Sequence, residues 1–392
     1  MAAIGLVSLV GVSLGAAGCT SSTIPSTDAL RSTTTIVAVT TTITPITKRA
    51  TIVLVVPTTG ALVGLGAEAK EGLELALRHA MEDGRVPADM SIRIKVLDEQ
   101  ARSLARAVDR AVRDNDVIAV VGGLLPTTEG TLVPVARRRK VGLFVLTWGS
   151  GDEPSEAVRF GPARDIVASA GVRFMTAANR GMGPLLVLGA PPGASGANAA
   201  RNTFLEALSA VASSAEVDIA IPPDPAAVAT TPIVVTGESI GSFALFGRLR
   251  LKPGADAPSI VVPTDAIGCD TRAFGIADGT RCVTRGAWLT TSVRARTFAE
   301  DTAARSIVAS WATASAYDLG TYLTTVAIPS GDSPAQALRI SLGTTKTGNT
   351  TTFSGVNGTF VPGVGFADAA QVLRAEKASW VLEPDPAPTL SG

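Results

Sequence analysis

Ser239 lies in the one motif of this sequence that could serve a hydrolase. It is the centre of Gly237-Glu238-Ser239-Ile240-Gly241, which follows an apolar stretch predicted as a strand and opens a predicted helix. This is the strand–turn–helix context of a nucleophile elbow. The serine needs a general base, and in that fold the histidine follows the serine in the chain. The single histidine, His79, lies far upstream on a predicted helix. We therefore expect no hydrolase activity and interpret His79 as a helix-face residue.

A second motif could suggest a dinucleotide site. Gly64-Leu65-Gly66-Ala67-Glu68-Ala69 fits the loose G-x-G-x-x-A pattern. It lies too far past the preceding strand, and Asp98 is too distant to be the ribose-binding acid. A turn of small residues into a helix explains the motif better. One histidine and three cysteines also leave few ligands for a metal. The sequence thus predicts no cofactor, no metal and no catalysis.

The charge balance gives no argument for a polyanionic partner. Lys and Arg total 34, Asp and Glu total 34, and the formal net charge is zero. Neither nucleic acid nor an acidic membrane surface is therefore indicated. The run Arg137-Arg138-Arg139-Lys140 is interpreted as the solvated end of a helix, where cations complement the carbonyl dipole.

The N-terminus has the pattern of a processing signal. Residues 2–17 are apolar or small, and the run Leu14-Gly15-Ala16-Ala17-Gly18-Cys19 resembles the lipobox of bacterial lipoproteins. We expect residues 1–19 to be a signal peptide ending in a lipidated Cys19, and residues 20–49 to be a Ser/Thr-rich tether. No Lys or Arg precedes the apolar run, which indicates either a weak signal or a true start further upstream. Three other interpretations of the segment stay open: a plain secretory signal, an uncleaved anchor or a buried helix.

The remaining two cysteines favour an extracytoplasmic compartment. Cys269 and Cys282 flank a short loop-like stretch, and a disulfide between them would add roughly 3 kcal/mol of stability. Disulfides persist outside the cytoplasm. The alternative is a pair of free buried thiols.

Strands and helices are predicted to alternate twice along the chain. A length of 392 residues exceeds what one core supports, and the apolar fraction of 46% is enough to fill two. Alternation with short loops predicts an α/β fold of two Rossmann-like lobes with parallel central sheets joined by a hinge. The predicted strands are 51–57, 91–97, 117–123, 142–147, 184–190, 216–221, 232–236, 258–263 and 283–290, followed by short C-terminal strands. The predicted helices are 67–82, 102–114, 130–140, 164–179, 195–213, 239–250 and 312–328.

Several patches in order resemble the type I periplasmic binding proteins, in particular the Leu/Ile/Val-binding-like group of ABC importers. The patches are VVPTTGALVGLGAEAKEGLELAL, VVGGLLPTTEG, LFVLTWGSGD, VVPTDAIG, SAYDLGTYLTTVA and TFSGVNGTFVPG. The resemblance covers roughly residues 50–384. It implies two lobes that close around a small polar solute, an amino acid or similar molecule, which is passed to an ABC permease. A membrane-tethered sensor or envelope interaction protein of the same fold is the alternative.

The resemblance also implies where the lobes divide. Hinge strands are expected near 160–163, 288–292 and 362–368. The first lobe is then 50–161 plus 291–364, the second is 162–290 plus 365–384, and 385–392 is a tail.

The ligand contacts are implied by the same resemblance. In the first lobe, Thr127 and Thr128 would hold a ligand carboxylate, since hydroxyl and N–H groups at a helix start suit an anion; simple N-capping is the alternative. Thr147, Trp148 and Ser150 would also contact the ligand, with lobe packing as the alternative for Trp148.

In the second lobe, Asp265 would pair with a ligand ammonium or else cap a turn, and Ser195 and Glu238 would face the cleft. Leu65, Ser195 and Glu238 stand where many members of the family carry aromatic residues. The loss of those rings argues against a standard branched-chain amino acid, and the extra acid, Glu238, favours a more polar or cationic solute.

Overall fold

The computed structural model describes residues 48–146, 157–161, 164–178, 185–188, 197–211, 217–218, 232–237, 259–263, 269, 278–284, 292–326, 352–361, 365–366, 370–377 and 379–383. All of them belong to one compact unit, Thr44–Gly392. The predictions for the signal peptide with Cys19, the helix 239–250 and the tail 385–392 lie outside the described residues, as does nearly all of the tether.

The N-terminal half of the chain builds a parallel sheet of five strands in the order β2-β1-β3-β4-β5. Its central strands are apolar and rich in β-branched residues, as expected where helices cover both faces. The strands are β1 (Lys48–Val56), β2 (Met90–Asp98), β3 (Val117–Gly122), β4 (Gly142–Val145) and β5 (Val158–Arg159). The helices between them are α1 (Val63–Glu82), α2 (Leu104–Ala111) and α3 (Pro126–Arg139).

Helix α1 begins four residues earlier than predicted, at Val63 instead of Ala67. Leu65, which we expected in a loop facing the ligand, therefore lies in the helix and is buried in the core. Gly66 brings α1 against the end of β1, because a Cβ at Gly66 would collide with the carbonyl oxygen of Pro57. Close helix–strand packing thus accounts for this glycine without a nucleotide.

The two faces of the first sheet are covered by different helices. Two later helices, α6 (Val293–Ala304) and α7 (Trp311–Val326), return to this part of the chain. Ile52 and Leu54 of β1 pack in a core with residues of α1 and α7. Val53 and Val55 point the other way and pack with residues of α2 and α3. The side chains therefore alternate between two apolar layers, as the period of a strand requires.

A second sheet follows, again with parallel central strands. Its order is β15-β14-β10-β9-β8-β6-β7, in which β6 to β10 run parallel and the two C-terminal strands β14 and β15 are antiparallel. The α/β class with two parallel-centred sheets is thus confirmed. The strands are β6 (Leu185–Leu188), β7 (Val217–Asp218), β8 (Ile233–Gly237), β9 (Ser259–Pro263), β10 (Arg281–Thr284), β14 (Gln371–Glu376) and β15 (Ser379–Leu382), and the helices are α4 (Arg164–Ala178) and α5 (Ala197–Val211).

A small antiparallel sheet joins the first sheet through aromatic side chains. It consists of β11 (Phe353–Gly355), β12 (Gly358–Val361) and β13 (Gly365–Phe366). Phe160, just after β5, stacks on Phe360 with ring centroids 4.2 Å apart and meets Phe366 edge-on at 5.3 Å. The Phe366 N–H also donates to the Gly161 carbonyl oxygen at 3.4 Å. Two of the segments expected to serve as hinges therefore contact each other.

Asp318, in the centre of α7, holds the β11–β12 turn through its carboxylate. It accepts hydrogen bonds from the backbone N–H groups of Val356 at 2.6 Å and Asn357 at 2.8 Å. The carboxyl is completely buried, and this desolvation raises its pKa to about 7 against the opposing effect of the two hydrogen bonds.

We expect Asp318 to make stability depend on pH. The folded-state pKa of Asp318 exceeds the unfolded value of about 3.9. The contribution of this group to the free energy of unfolding is therefore fully present below about pH 4. It is lost as the pH rises through about 7, at roughly 1 kcal/mol per pH unit. Asp318→Asn should flatten this dependence, whereas Glu300→Gln, at an exposed site on α6, should leave it unchanged. Urea unfolding at several pH values tests this, and identical profiles for Asp318→Asn and the parent chain would contradict it.

Candidate functional site

The carboxyl ends of β1, β2 and β3 meet at one edge of the first sheet. These strands are parallel and end at Val56, Asp98 and Gly122. The loops that follow them, and the start of α3, therefore lie at the same edge, which is where open α/β sheets bind their ligands. The candidate site is formed by two acids and two threonines. The acids are Asp98, which ends β2, and Glu99, which follows it; Thr127 and Thr128 lie at the start of α3.

Asp98, the last residue of β2, fixes the loop after β1. Its carboxylate accepts hydrogen bonds from the Thr58 N–H at 3.0 Å, the Thr59 hydroxyl at 2.9 Å and the Gln100 N–H at 3.2 Å. The hydrogen bond from the Thr58 backbone is the main cause that lowers the pKa of Asp98. The carboxylate thus stays ionised and holds the β1–α1 loop at the edge of the sheet.

Glu99, the next residue, holds the start of α3. Its buried carboxylate accepts from the backbone N–H of Leu124 at 3.0 Å, the N–H of Leu125 at 2.8 Å and the Thr128 hydroxyl. Burial raises the pKa of Glu99, and these three hydrogen bonds oppose that rise. The positive end of the helix dipole also favours a negative charge here. A carboxylate of the chain itself therefore occupies part of the anion-binding end of α3.

The two threonines have different surroundings. Helix α3 begins at Pro126 with Leu125 as its N-cap, and no side chain caps it. The N-capping alternative is therefore wrong for both Thr127 and Thr128, which lie one and two positions inside the helix. Thr128 is 3% exposed and its hydroxyl is bonded to Glu99, whereas Thr127 is exposed. Contact of either residue with a ligand stays a prediction.

An open cavity of about 460 Å³ lies beside these residues, between the first turns of α2 and α3. Its size is in the range of small-molecule sites. Glu99, Thr127, Thr128 and Thr131 line one side, and Arg102 and Arg106 line the other. The lining is polar and includes two cations, which suits an anionic group.

The remaining predicted contacts, Thr147, Trp148, Ser150, Ser195, Glu238 and Asp265, lie outside the described residues. The strands before them are described. Thr147 to Ser150 follow β4, Ser195 follows β6, Glu238 follows β8 and Asp265 follows β9. Since β6, β8 and β9 are parallel neighbours, their carboxyl ends share one edge of the second sheet. These contacts stay predictions.

Sequence reasoning missed Glu99 and the role of Asp98. From the sequence, Asp98 is considered only as a ribose-binding acid, and Glu99 has no predicted role. The available signal was the pair of acids directly after an apolar strand, at the edge where sites of this fold form.

The described residues show no other centre of chemistry. His79 is engaged on α1, with Nδ1 2.9 Å from the Tyr317 hydroxyl oxygen and Nε2 3.6 Å from the Asp301 carboxylate. Within the described ranges, no three His, Cys, Asp or Glu side chains are grouped to bind a metal ion. No helix in that part of the chain is long and apolar enough to cross a bilayer.

Comparison with known proteins identifies the fold. No family model matches the sequence, and no curated protein matches it. Among solved structures, an ABC transporter substrate-binding protein from Desulfitobacterium hafniense in complex with Leu has a TM-score of 0.66 at 16% identity, covering 86% of this chain and 100% of its own. LivJ of Streptococcus pneumoniae, a branched-chain amino acid transporter substrate-binding protein in complex with isoleucine, has a TM-score of 0.65 at 18% identity, covering 85% and 98%.

A solute-binding protein of an ABC transporter from R. palustris, in complex with benzoate, has a TM-score of 0.64 at 16% identity and covers 87% of this chain and 97% of its own. Identities this low establish the fold alone. The chain therefore has the type I periplasmic-binding-protein fold, the fold of the ABC transporter substrate-binding proteins.

Proposed function

We propose that this protein is an extracytoplasmic solute-binding protein that captures a small carboxylate-bearing solute, an amino acid or similar molecule, for an ABC importer. The observation that carries the proposal is the carboxyl edge of the first sheet, where Asp98 and Glu99 hold the β1–α1 loop and the start of α3 in place. Rigid loops at this edge are what a solute site of this fold needs. Binding then shifts the balance between open and closed lobes and involves no chemistry.

The solved structures of the same fold support a carboxylate as the recognised group. Leu, isoleucine and benzoate, each bound to one of those proteins, share a carboxylate and little else. In this chain Thr127 stands exposed at the second position of α3, where the helix dipole favours an anion. Thr128 supports the site indirectly, because its hydroxyl donates a hydrogen bond to the Glu99 carboxylate.

The full site draws on both lobes. We propose Thr127, Thr147, Trp148 and Ser150 as contacts from a first lobe of 50–161 plus 291–364. Ser195, Glu238 and Asp265 are the contacts from a second lobe of 162–290 plus 365–384. The support is that each of these residues follows the carboxyl end of a parallel strand, apart from Thr127, which lies in the helix after one.

A thermal-shift screen against amino acids, aromatic carboxylates, amides and polyamines tests the function. A carboxylate solute at about 100 times its Kd should stabilise the fold by about 2.7 kcal/mol. Thr127→Val should weaken the binding of that solute at least tenfold, since a hydrogen bond to a charged group is lost. Thr297→Val, at an exposed helical position on α6 outside the cavity lining, is the matched control and should change affinity less than twofold. Stabilisation by polyamines or amides, but by no carboxylate, would overturn the proposed ligand class.

We further propose that the chain is held at the outer face of the cell membrane by lipid on Cys19. A disulfide between Cys269 and Cys282 fits the same compartment. The support is the lipobox-like sequence and the close approach of two buried cysteines, whose Cα atoms lie 5.9 Å apart. Mass spectrometry of the protein from cells should find diacylglycerol on Cys19 and no free thiol. An unmodified N-terminus with two free thiols would contradict both.

A further inference from the structure

Helices α2 and α3 together present a strongly basic face, although the whole chain has zero net charge. The apolar residues Leu104, Val108 and Ala111 of α2 are buried against the sheet, and its arginines are spaced along the opposite, solvent side. The end of α3 adds four more cations beside them. We call this set the basic face: Arg102, Arg106, Arg110, Arg113, Arg137, Arg138, Arg139 and Lys140.

One carboxylate, Asp109, organises this face. It accepts from Arg138 at 2.9 Å, from Arg139 at 2.8 Å and from Arg113 at 3.4 Å. The hydrogen bonds from Arg139 and Arg138 hold the pKa of Asp109 well below its ordinary value, so it is ionised at any physiological pH. Asp109 thus ties α2 to α3 and fixes the guanidinium groups around it.

The other acids between Arg102 and Val141, a segment described throughout, have partners outside the basic face. Asp114 pairs with Lys95 at 3.7 Å and Asp116 with Arg93 at 3.7 Å. Glu129 pairs with Arg159 at 3.0 Å. Arg137 has a further interaction of its own, so seven cations are set against one carboxylate within residues 102–141, and this segment keeps a positive excess. A groove of about 510 Å³ lined by Arg106, Arg110, Arg113 and Arg138 runs between the two helices.

The position of the basic face relates it to the N-terminus. Helices that connect parallel strands run back across the sheet, so their C-terminal ends lie at the edge where strands begin. Arg113 and the end of α3 therefore lie near the start of β1, and the Thr51 N–H donates to the Asp116 carbonyl oxygen at 2.7 Å at that edge. The chain enters the fold there, at Lys48, opposite the edge that carries the candidate solute site.

We infer that the basic face docks on an anionic phospholipid surface. Arginine binds phosphate with two parallel hydrogen bonds, so a cluster of arginines suits an array of lipid phosphates. The inference rests on the proposed lipid anchor at Cys19. Residues 20–47 are the part of the proposed Ser/Thr-rich tether that precedes β1, and a random coil of that length would have a mean reach of about 30 Å, which would keep the face close to the bilayer.

Vesicle cosedimentation of the processed chain with Cys19→Ser tests the electrostatic contact without the lipid. The chain should sediment with vesicles of phosphatidylglycerol and phosphatidylcholine, but not with phosphatidylcholine alone, at about 0.1 M salt. The double variant Arg110→Gln, Arg113→Gln, at two positions outside the candidate solute cavity, should lower this partition about 25-fold, since each cation near an anionic surface contributes about fivefold. The matched control Arg78→Gln, Arg173→Gln removes two exposed cations from α1 and α4 and should change it less than twofold.

Equal sedimentation with both kinds of vesicle, or an equal loss in the control variant, would overturn the inference. Binding to polyglutamate without binding to vesicles would overturn it as well and assign an acidic protein partner instead. Solute binding, measured by thermal shift in the same variants, should be unchanged. A failed vesicle test with intact solute binding therefore refutes the docking surface and leaves the proposed function standing.

Discussion

Replacing Glu99 by alanine is expected to destabilise the chain by about 3 kcal/mol or more and to reduce solute affinity at least tenfold. The substitution leaves the N–H groups of Leu124 and Leu125 and the Thr128 hydroxyl without their buried acceptor. Each unsatisfied buried group costs about 1–3 kcal/mol. The start of α3, and Thr127 with it, would lose its fixed position. Urea unfolding measures the first effect and calorimetric titration of the solute measures the second.

Two variants control this prediction. Glu99→Gln keeps the shape and one acceptor oxygen, so we expect a folded chain with an intermediate loss of affinity. Gln100→Ala changes the adjacent exposed side chain and should have little effect on either quantity. A Glu99→Gln chain that binds the solute as tightly as the parent would show that this carboxylate does not position the site.

Replacing Phe160 by alanine is expected to cost about 3–5 kcal/mol of unfolding free energy. The ring is fully buried and is shared by three parts of the fold, namely the end of β5, helix α7 through Tyr322 and the small sheet through Phe360 and Phe366. Its removal leaves a cavity among aromatic rings that approach one another edge-on or stacked, and those contacts are lost as well. Guanidinium unfolding monitored by circular dichroism measures the loss.

The same position offers a graded series. Phe160→Leu keeps most of the apolar volume and should cost clearly less than the alanine variant. Phe353→Ala removes a ring at the border of the same cluster, where the side chain is only half-buried, and should also cost less. If Phe160→Ala were no more destabilising than Phe353→Ala, the Phe160 ring would not be what holds β5, α7 and the small sheet together.

The alternation of strands and helices could be predicted from the sequence because most central elements are long and strongly patterned. Two elements, β5 and α6, were not predicted. Strand β5 has two residues, and α6 buries only Ala295, Phe298 and Thr302, too narrow a stripe to separate from a loop. The start of α1 was placed too late because glycines at 64 and 66 indicate a turn, whereas Gly66 serves close packing against Pro57.

The candidate site was predictable only in part. The family resemblance, together with hydroxyl residues just after a predicted strand, indicated Thr127 and Thr128. Glu99 was not recognised because an acid after a strand is usually exposed, and its burial depends on Leu124 and Leu125, which lie far along the chain. The basic face was hidden for a related reason. A net charge of zero is a sum over the molecule, and the folding of α2 beside α3 decides where the cations gather.

Hydrogen–deuterium exchange with and without a saturating carboxylate solute tests the central claim most directly. A solute held between two facing sheets should slow amide exchange in residues 57–60 and 123–128 of the first lobe and, at the same time, in the segments after β6, β8 and β9 of the second. The account predicts protection at both carboxyl edges and none at the C-terminal ends of α2 and α3. Protection confined to a single lobe, or located away from these edges, would contradict it.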